Sequence, residues 1–170
     1  PLEGQFRPTH FDGVTTVVTK LFNLVGPCVA VFGRKDYQQW KILCRLALDL
    51  DMPVEVIGSP IIREADGLAL SSRNRYLSDA ERERALGIVT GLRAAYDAWA
   101  QGERSPEALR TLAAKPVEAR FDRVDYVAPV DPETLGAPRD SYSRLLITVA
   151  AHLGNTRLID NVVLGEDPRP

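Results

Sequence analysis

Cysteine, histidine and methionine are scarce in this sequence. Its two cysteines, Cys28 and Cys44, and two histidines, His10 and His152, make a poor set of metal ligands. Cys28 opens an apolar run and Cys44 falls inside a helical pattern, so both read as buried free thiols, which suits a reducing cytoplasm. Long apolar runs are missing too. No stretch approaches the roughly 20 residues that span a bilayer, and the first residues carry no signal-peptide pattern. A surplus of one charge is also lacking: 21 Lys and Arg against 23 Asp and Glu leave a net charge of −2. There is no broad basic footprint for nucleic acid. We find no internal repeat and no low-complexity segment. An initiator methionine is absent as well. The chain opens at Pro1 and enters motif-like residues at once, which leads us to expect the later part of a longer protein.

What is present is ordinary globular material: 170 residues, 45% hydrophobic and 26% charged, enough for one domain or two small ones. Two stretches carry the chemistry. Val29-Ala-Val-Phe-Gly-Arg-Lys-Asp-Tyr-Gln-Gln39 reads as a short strand, a glycine turn and the opening of a helix. Gly33 lets a ligand approach the backbone, and the following helix start favours negative charge. Lys35, Gln38 and Gln39 are spaced to share one face. Asp36 is an acceptor suited to sugar hydroxyls. The second stretch, Asp66-Gly-Leu-Ala-Leu-Ser-Ser-Arg-Asn74, supplies two hydroxyls and a guanidinium in succession, groups that suit phosphate oxygens. Each has a plainer reading. A strand–glycine–helix turn is common, and Ser71–Asn74 also reads as a polar loop. Neither is a Walker-type loop. Together they suggest a nucleotide clamp.

In chain order, residues 1–12 read as a loop, with Glu3, Arg7 and His10 as polar residues of unassigned role. Val14, Val17, Val18, Leu21, Phe22 and Val25 describe one apolar helix face, ended by Gly26-Pro27. Val29–Phe32 reads as a strand buried on both faces. A helix from about Lys35 to Leu50, with Trp40, Leu43, Ala47 and Leu50 inside, leads to a second strand at Val54–Ile57. This is a βαβ unit with a parallel sheet, whose ligands belong at the carboxyl ends of the strands. Two strands do not make a doubly wound sheet alone.

Composition shifts after Pro60. Ser78-Asp-Ala-Glu81 is a capping box for a helix from about Asp79 to Ala100, with Ala85, Ile88, Val89, Leu92, Tyr96 and Trp99 inward and Gly102 as its stop. Ser105-Pro106 opens another helix, which Pro116 interrupts or ends. Strands follow at Val124–Val127, Arg144–Ala151 and Arg157–Val163, the last two joined by a Gly154-Asn155 hairpin. The tail after Gly165 is expected to fray. The fold class is therefore α/β: part of a Rossmann-like parallel sheet over 1–62, then a small α+β lid domain over 63–170. The Ile61–Asp66 loop is the expected hinge.

The ordered motifs resemble the pantothenate synthetase (pantoate–β-alanine ligase) family. The matching runs are Arg7-Pro-Thr-His-Phe-Asp-Gly-Val14 with Thr16, Lys20-Leu-Phe-Asn23, Phe32-Gly-Arg-Lys-Asp-Tyr-Gln-Gln39, Asp66–Asn74 with Tyr76-Leu77, and Arg157-Leu-Ile-Asp-Asn161. The resemblance implies a cytoplasmic, homodimeric enzyme of coenzyme A biosynthesis in the nucleotidyltransferase superfamily. It joins pantoate to β-alanine through a pantoyl adenylate, releasing AMP and pyrophosphate. It assigns Lys35, Ser71, Ser72 and Arg73 to the ATP phosphates, Gly33 and Asp36 to the ribose, Ile62 to adenine through its backbone, and Gln39 to pantoate. Ser71-Ser72-Arg73 looks like the family's counterpart of the K-M-S-K-S loop. Leu70 stands where methionine is frequent. The family's H-x-G-H motif has no counterpart here, and its Mg²⁺ ligands are expected upstream. On this reading the chain holds half of an active site and no metal ligand, binds neither nucleic acid nor membrane, and is catalytically silent alone. Two other readings stay open: another adenylate-forming enzyme of the superfamily, or a non-catalytic binding module.

Overall fold

The structure, a computed structural model, describes residues 2–139 and 141–170. It divides into two compact units, Pro1–Ile61 and Ile62–Pro170, and each is taken by itself.

The first unit begins with helices where a loop is expected; Pro1 lies outside the described residues. Helix α1 (Glu3–Phe6) is followed by α2 (His10–Val25). The Glu3 N–H donates to Gln38 Oε1 at 3.0 Å and Arg7 N–H to the Glu3 carbonyl at 2.8 Å. These long-range and local bonds order a segment whose own periodicity is weak. Strand β1 (Cys28–Gly33) pairs in parallel with β2 (Val54–Ser59), in register from Cys28–Val54 to Gly33–Ser59. Between them runs α3 (Tyr37–Asp49). The core is Val18, Phe22 and Leu43 with Ala30, Phe32, Leu46, Val54 and Val56.

Burial differs from the sequence-based expectation in four places. Strand β1 is not buried on both faces: Ala30 and Phe32 meet the helices, while Val29 and Val31 are exposed. On α2 the inward stripe narrows to Val14, Val18 and Phe22, and Val17, Leu21 and Val25 are exposed. Leu50 lies past the end of α3 and is exposed; Tyr37 is buried instead. Both free thiols are half-buried rather than buried.

In the second unit, α4 (Asp79–Ala100) and α5 (Pro106–Arg120) pack on an antiparallel sheet ordered β3 (Arg123–Val130), β4 (Leu145–Leu153), β5 (Thr156–Leu164). The capping box of α4 forms: Ser78 N–H donates to Glu81 Oε2, and Ser78 Oγ accepts from Glu81 N–H. At the other end Gly102, at φ +100°, allows its N–H to reach the Trp99 carbonyl and Glu103 N–H to reach that of Ala98. This is a Schellman closure, which needs a left-handed residue there. Ile88, Leu92, Leu109, Val117, Ile147, Val149 and Leu158 belong to one core. Ala95 is fully buried, while Tyr96 packs only at its edge. Strands β4 and β5 pair from Leu145–Leu164 to Leu153–Thr156 around Gly154-Asn155.

Helix α5 runs through Pro116 to Arg120 rather than ending there. Leu109, Ala113 and Ala114 before the proline and Val117 after it are all buried. Packing on both sides of the missing hydrogen bond holds the helix together. The tail is tied down rather than frayed. Arg169 grips Asp97 with two 2.7 Å bonds, Arg93 Nε reaches the Pro170 carbonyl, and Asp167 accepts from Val163 N–H.

Candidate active site

In the first unit the site grows from the end of β1. Gly33 is exposed, at φ −71° and ψ 130°, and a Cβ built there meets nothing within 4 Å. Neither backbone strain nor packing within the chain calls for glycine here. A bare backbone facing open space is what a closely approaching ligand uses. Arg34–Asp36 then form a 3₁₀ turn before α3 starts at Tyr37. Lys35 therefore lies in the turn ahead of α3, and Gln38 and Gln39 lie in the first turn of the helix. Gln38 is engaged by the Glu3 N–H. Asp36 is exposed and makes no side-chain cap to α3. Neither the Asp36 nor the Gln39 side chain has a hydrogen-bond partner among the described residues. Beside them Trp40 sits edge-on to Tyr37 at 5.1 Å and packs over Gly58, where a Cβ would come within 2.6 Å of its ring.

In the second unit the site is a turn on a rigid base. Leu70 N–H donates to the Ile62 carbonyl at 2.9 Å, Glu64 N–H to the Leu68 carbonyl at 2.8 Å, and Gly67 N–H to the Glu64 carbonyl at 2.8 Å. With the antiparallel bridge Arg63–Ala69, residues 62–70 form a small hairpin. Most of the segment expected to act as a hinge, Ile61–Asp66, is therefore tied into this hairpin. The Ile62 side chain is exposed, and its N–H has no partner among the described residues. Beyond the hairpin, Ser72–Tyr76 form a 3₁₀ turn capped by Ser71, whose Oγ accepts from Arg73 N–H at 3.2 Å. Ser72 and the Arg73 guanidinium project into solvent with no side-chain partner among the described residues. Arg73 and Tyr76 line an open hollow of about 560 Å³ together with Glu81, Asn155 and Arg157.

Side chains to which the motifs assign no role fix this turn. Arg63 forks onto Asp160 of β5, Nη1 to Oδ2 at 2.7 Å and Nη2 to Oδ1 at 3.2 Å, and also meets the Gly67 carbonyl at 3.1 Å. Arg82 of α4 bridges Glu64 at 2.6 Å and Asp66 at 2.7 Å. Asn74 donates to Glu64 Oε1 at 2.7 Å and to the Ala69 carbonyl at 3.1 Å. The hydrogen bonds from Arg82 and Asn74 hold the Glu64 carboxyl below its ordinary range. The Leu68 N–H, aided by Arg82, does the same for Asp66. The signals were present, Asp160 and Asn74 both lying within quoted motifs, but a motif does not say which side chains face a ligand and which brace its neighbours.

Among the described residues no group of three or more His, Cys, Asp or Glu is placed to hold a metal ion, and no helix is long and apolar enough to cross a membrane.

The profile described as Pantoate-beta-alanine ligase matches residues 1–163. This chain belongs to that family. The pantothenate synthetase of Geotalea uraniireducens is 52% identical over 168 residues, 98% of this chain and 60% of that protein. Pantothenate synthetase 1 of Bradyrhizobium diazoefficiens is 52% identical over 170 residues, 99% of this chain and 59% of its own. The pantothenate synthetase of Thermus thermophilus superposes with a TM-score of 0.89 at 45% identity, over 94% of this chain and 58% of that one. A pantoate-beta-alanine ligase from Francisella tularensis, solved with Beta-gamma ATP and Beta-alanine, superposes at 0.73 with 29% identity, over all of this chain and 56% of that one. The chain thus spans about 60% of the length of the curated relatives it matches. With these neighbours the fold class is settled: an α/β unit with a parallel sheet, then an α+β unit with a three-stranded antiparallel sheet.

Proposed function

We propose that this chain serves the ATP-dependent condensation of pantoate with β-alanine to pantothenate. The observation that carries the proposal is the family match across residues 1–163. In this reading pantoate's carboxylate attacks the α-phosphate of ATP, forming pantoyl adenylate and releasing pyrophosphate. The amine of β-alanine then attacks the acyl carbon, and AMP leaves. Both nucleophiles come from substrates, so the protein's task is electrostatic and positional. Lys35, Ser71, Ser72 and Arg73 bind the phosphates, where negative charge shifts onto departing pyrophosphate. Exposed, uncapped Asp36 takes the ribose hydroxyls beside the bare Gly33 backbone. The Ile62 N–H meets adenine, and Gln39 takes pantoate. Unit 1 is then part of a Rossmann-like nucleotide domain and unit 2 its lid. ATP is accompanied by Mg²⁺ in this reading, but the described residues offer no cluster for the ion. A cytoplasmic homodimer belongs to the same proposal.

The test uses the full-length protein. Pyrophosphate release should require ATP and pantoate together, and pantothenate should form once β-alanine is added. Release with a different carboxylate and none with pantoate would favour another adenylate-forming enzyme. Failure to bind ATP at all would favour a non-catalytic module.

A further inference from the structure

The turn that carries Ser71, Ser72 and Arg73 points its working groups outward, lies beside β5 and is followed by Leu77, which packs on the core. Its position also depends on the hairpin beneath it. Asn74, the next residue, turns inward and gives both amide hydrogens away, one to Glu64 Oε1 at 2.7 Å and one to the Ala69 carbonyl at 3.1 Å. Its own N–H binds the Ser71 carbonyl at 3.0 Å, and its carbonyl accepts from Leu77 N–H at 3.2 Å. Asn74 therefore ties the turn to itself and to the hairpin below. Glu64 cannot swing away, because Arg82 of α4 holds its other oxygen at 2.6 Å. The hairpin is fixed in turn by Arg63 on the buried Asp160 carboxylate. Helix α4 thus reaches the turn through Glu64, and strand β5 through Arg63 and Ala69 of the hairpin.

We propose that Asn74 and Glu64 are positioning residues for nucleotide binding, setting the place of the Ser71–Arg73 turn without touching the ligand. The inference rests on the nucleotide role proposed for that turn. Its chemistry is specific. Position 74 calls for a donor of two hydrogen bonds, since Glu64 Oε1 and the Ala69 carbonyl both accept from it. Asn74→Asp keeps the shape and sets a carboxylate against Glu64 and a carbonyl, which repels the turn from its base. Glu64→Gln alone turns an amide N–H₂ toward either Asn74 or Arg82, both donors. The double change is complementary. Its amide at position 64 accepts from Arg82 through oxygen and donates through nitrogen to the carboxylate at position 74.

The experiment compares Asn74→Asp, Glu64→Gln, their combination, Arg73→Ala, and Asn74→Asp with Arg73→Ala, in the full-length protein. Melting temperature and the KM values for ATP and pantoate in pyrophosphate release are read well below the lowest melting point. Each single change at 74 or 64 should raise the KM for ATP by about tenfold, as expected for misplaced phosphate ligands, with the KM for pantoate nearly unchanged. The double variant should recover part of that loss, since repulsion from the Ala69 carbonyl remains. On the Arg73→Ala background, Asn74→Asp should cost less than it does alone, because the share carried by Arg73 is already lost while that of Ser71 and Ser72 remains. Lowered melting with an unchanged KM for ATP would overturn the inference and leave Asn74 a purely structural residue. An undiminished effect of Asn74→Asp without Arg73 would overturn it too. A fully active Arg73→Ala enzyme would refute the nucleotide role of the turn itself, and this inference with it.

Discussion

Gly91 of α4 lies against the backbone of Ala113 in α5, so close that a Cβ on Gly91 would overlap the Ala113 carbonyl oxygen. One turn earlier, a Cβ on Gly87 would stand 2.9 Å from the Pro116 carbonyl oxygen. The two glycines let the helices meet backbone to backbone. Gly91→Ala should therefore force them apart and destabilise the protein by about 1–3 kcal/mol despite alanine's better helix propensity. Chemical denaturation measures it, and an alanine variant more stable than the parent would show that the seam has slack.

The Arg63–Asp160 pair is mostly sequestered, with side chains 17% and 4% exposed. Removing the carboxylate leaves a guanidinium short of its anionic partner. Asp160→Ala should cost about 3–5 kcal/mol, far more than loss of an exposed pair such as Arg110–Glu107. Equal losses in urea denaturation would count against the distinction.

Gly33→Ala separates ligand binding from folding. With φ at −71° and open space around the built Cβ, stability should stay within about 0.5 kcal/mol of the parent. ATP affinity, by titration calorimetry on the full-length protein, should fall several-fold because the methyl occupies the approach to the backbone. Unchanged affinity would remove Gly33 from the site.

Acid should weaken the second unit. The Leu68 N–H, with Arg82, lowers the Asp66 carboxyl, and the Thr134 and Glu133 N–H groups lower that of Asp131. Burial raises Asp125, but Arg157 and His152 outweigh it, so it too is lowered. A carboxyl depressed in the folded state contributes stability above its unfolded pKa and loses it as pH falls through the folded value. Melting temperature should hold down to about pH 5 and then decline below the ordinary aspartate range near 4. Asp131→Asn should shallow the decline. A profile flat to about pH 2 would contradict it.

Residues 62–170 carry a core, two capped helices and a complete three-stranded sheet of their own. Expressed alone, they should unfold cooperatively. Residues 1–61, with two strands and Val29, Val31, Leu24 and Val25 exposed, should not. Calorimetry of the two pieces decides it.

Periodicity and punctuation made much of the fold legible. The Ser78 box, the Gly102 stop, the parallel pair around α3 and the Gly154-Asn155 hairpin all follow from local chemistry. What failed was tertiary in origin. Nothing local shows that packing carries α5 past Pro116, that Gln38 orders the residues around Glu3, or that Asp97 anchors Arg169. The composition of Val29–Phe32 suits a doubly buried strand, yet burial depends on what lies over each face. At the candidate site, residue types suited to phosphate were visible, whereas the brace beneath them joins Arg63 and Asn74 to partners that proximity in sequence does not reveal.

The Arg63–Asp160 contact also has a place in time. Its partners are 97 positions apart, so it closes one of the longest loops in the unit, and that closure is entropically disfavoured until β5 is already paired with β4. Helix α4 and the β4–β5 hairpin are local and can form first. The hairpin of residues 62–70, and the turn it supports, should then settle late on the folding route. In kinetic experiments Asp160→Asn should accelerate unfolding while leaving the refolding rate nearly untouched, the behaviour of a contact made after the rate-limiting barrier.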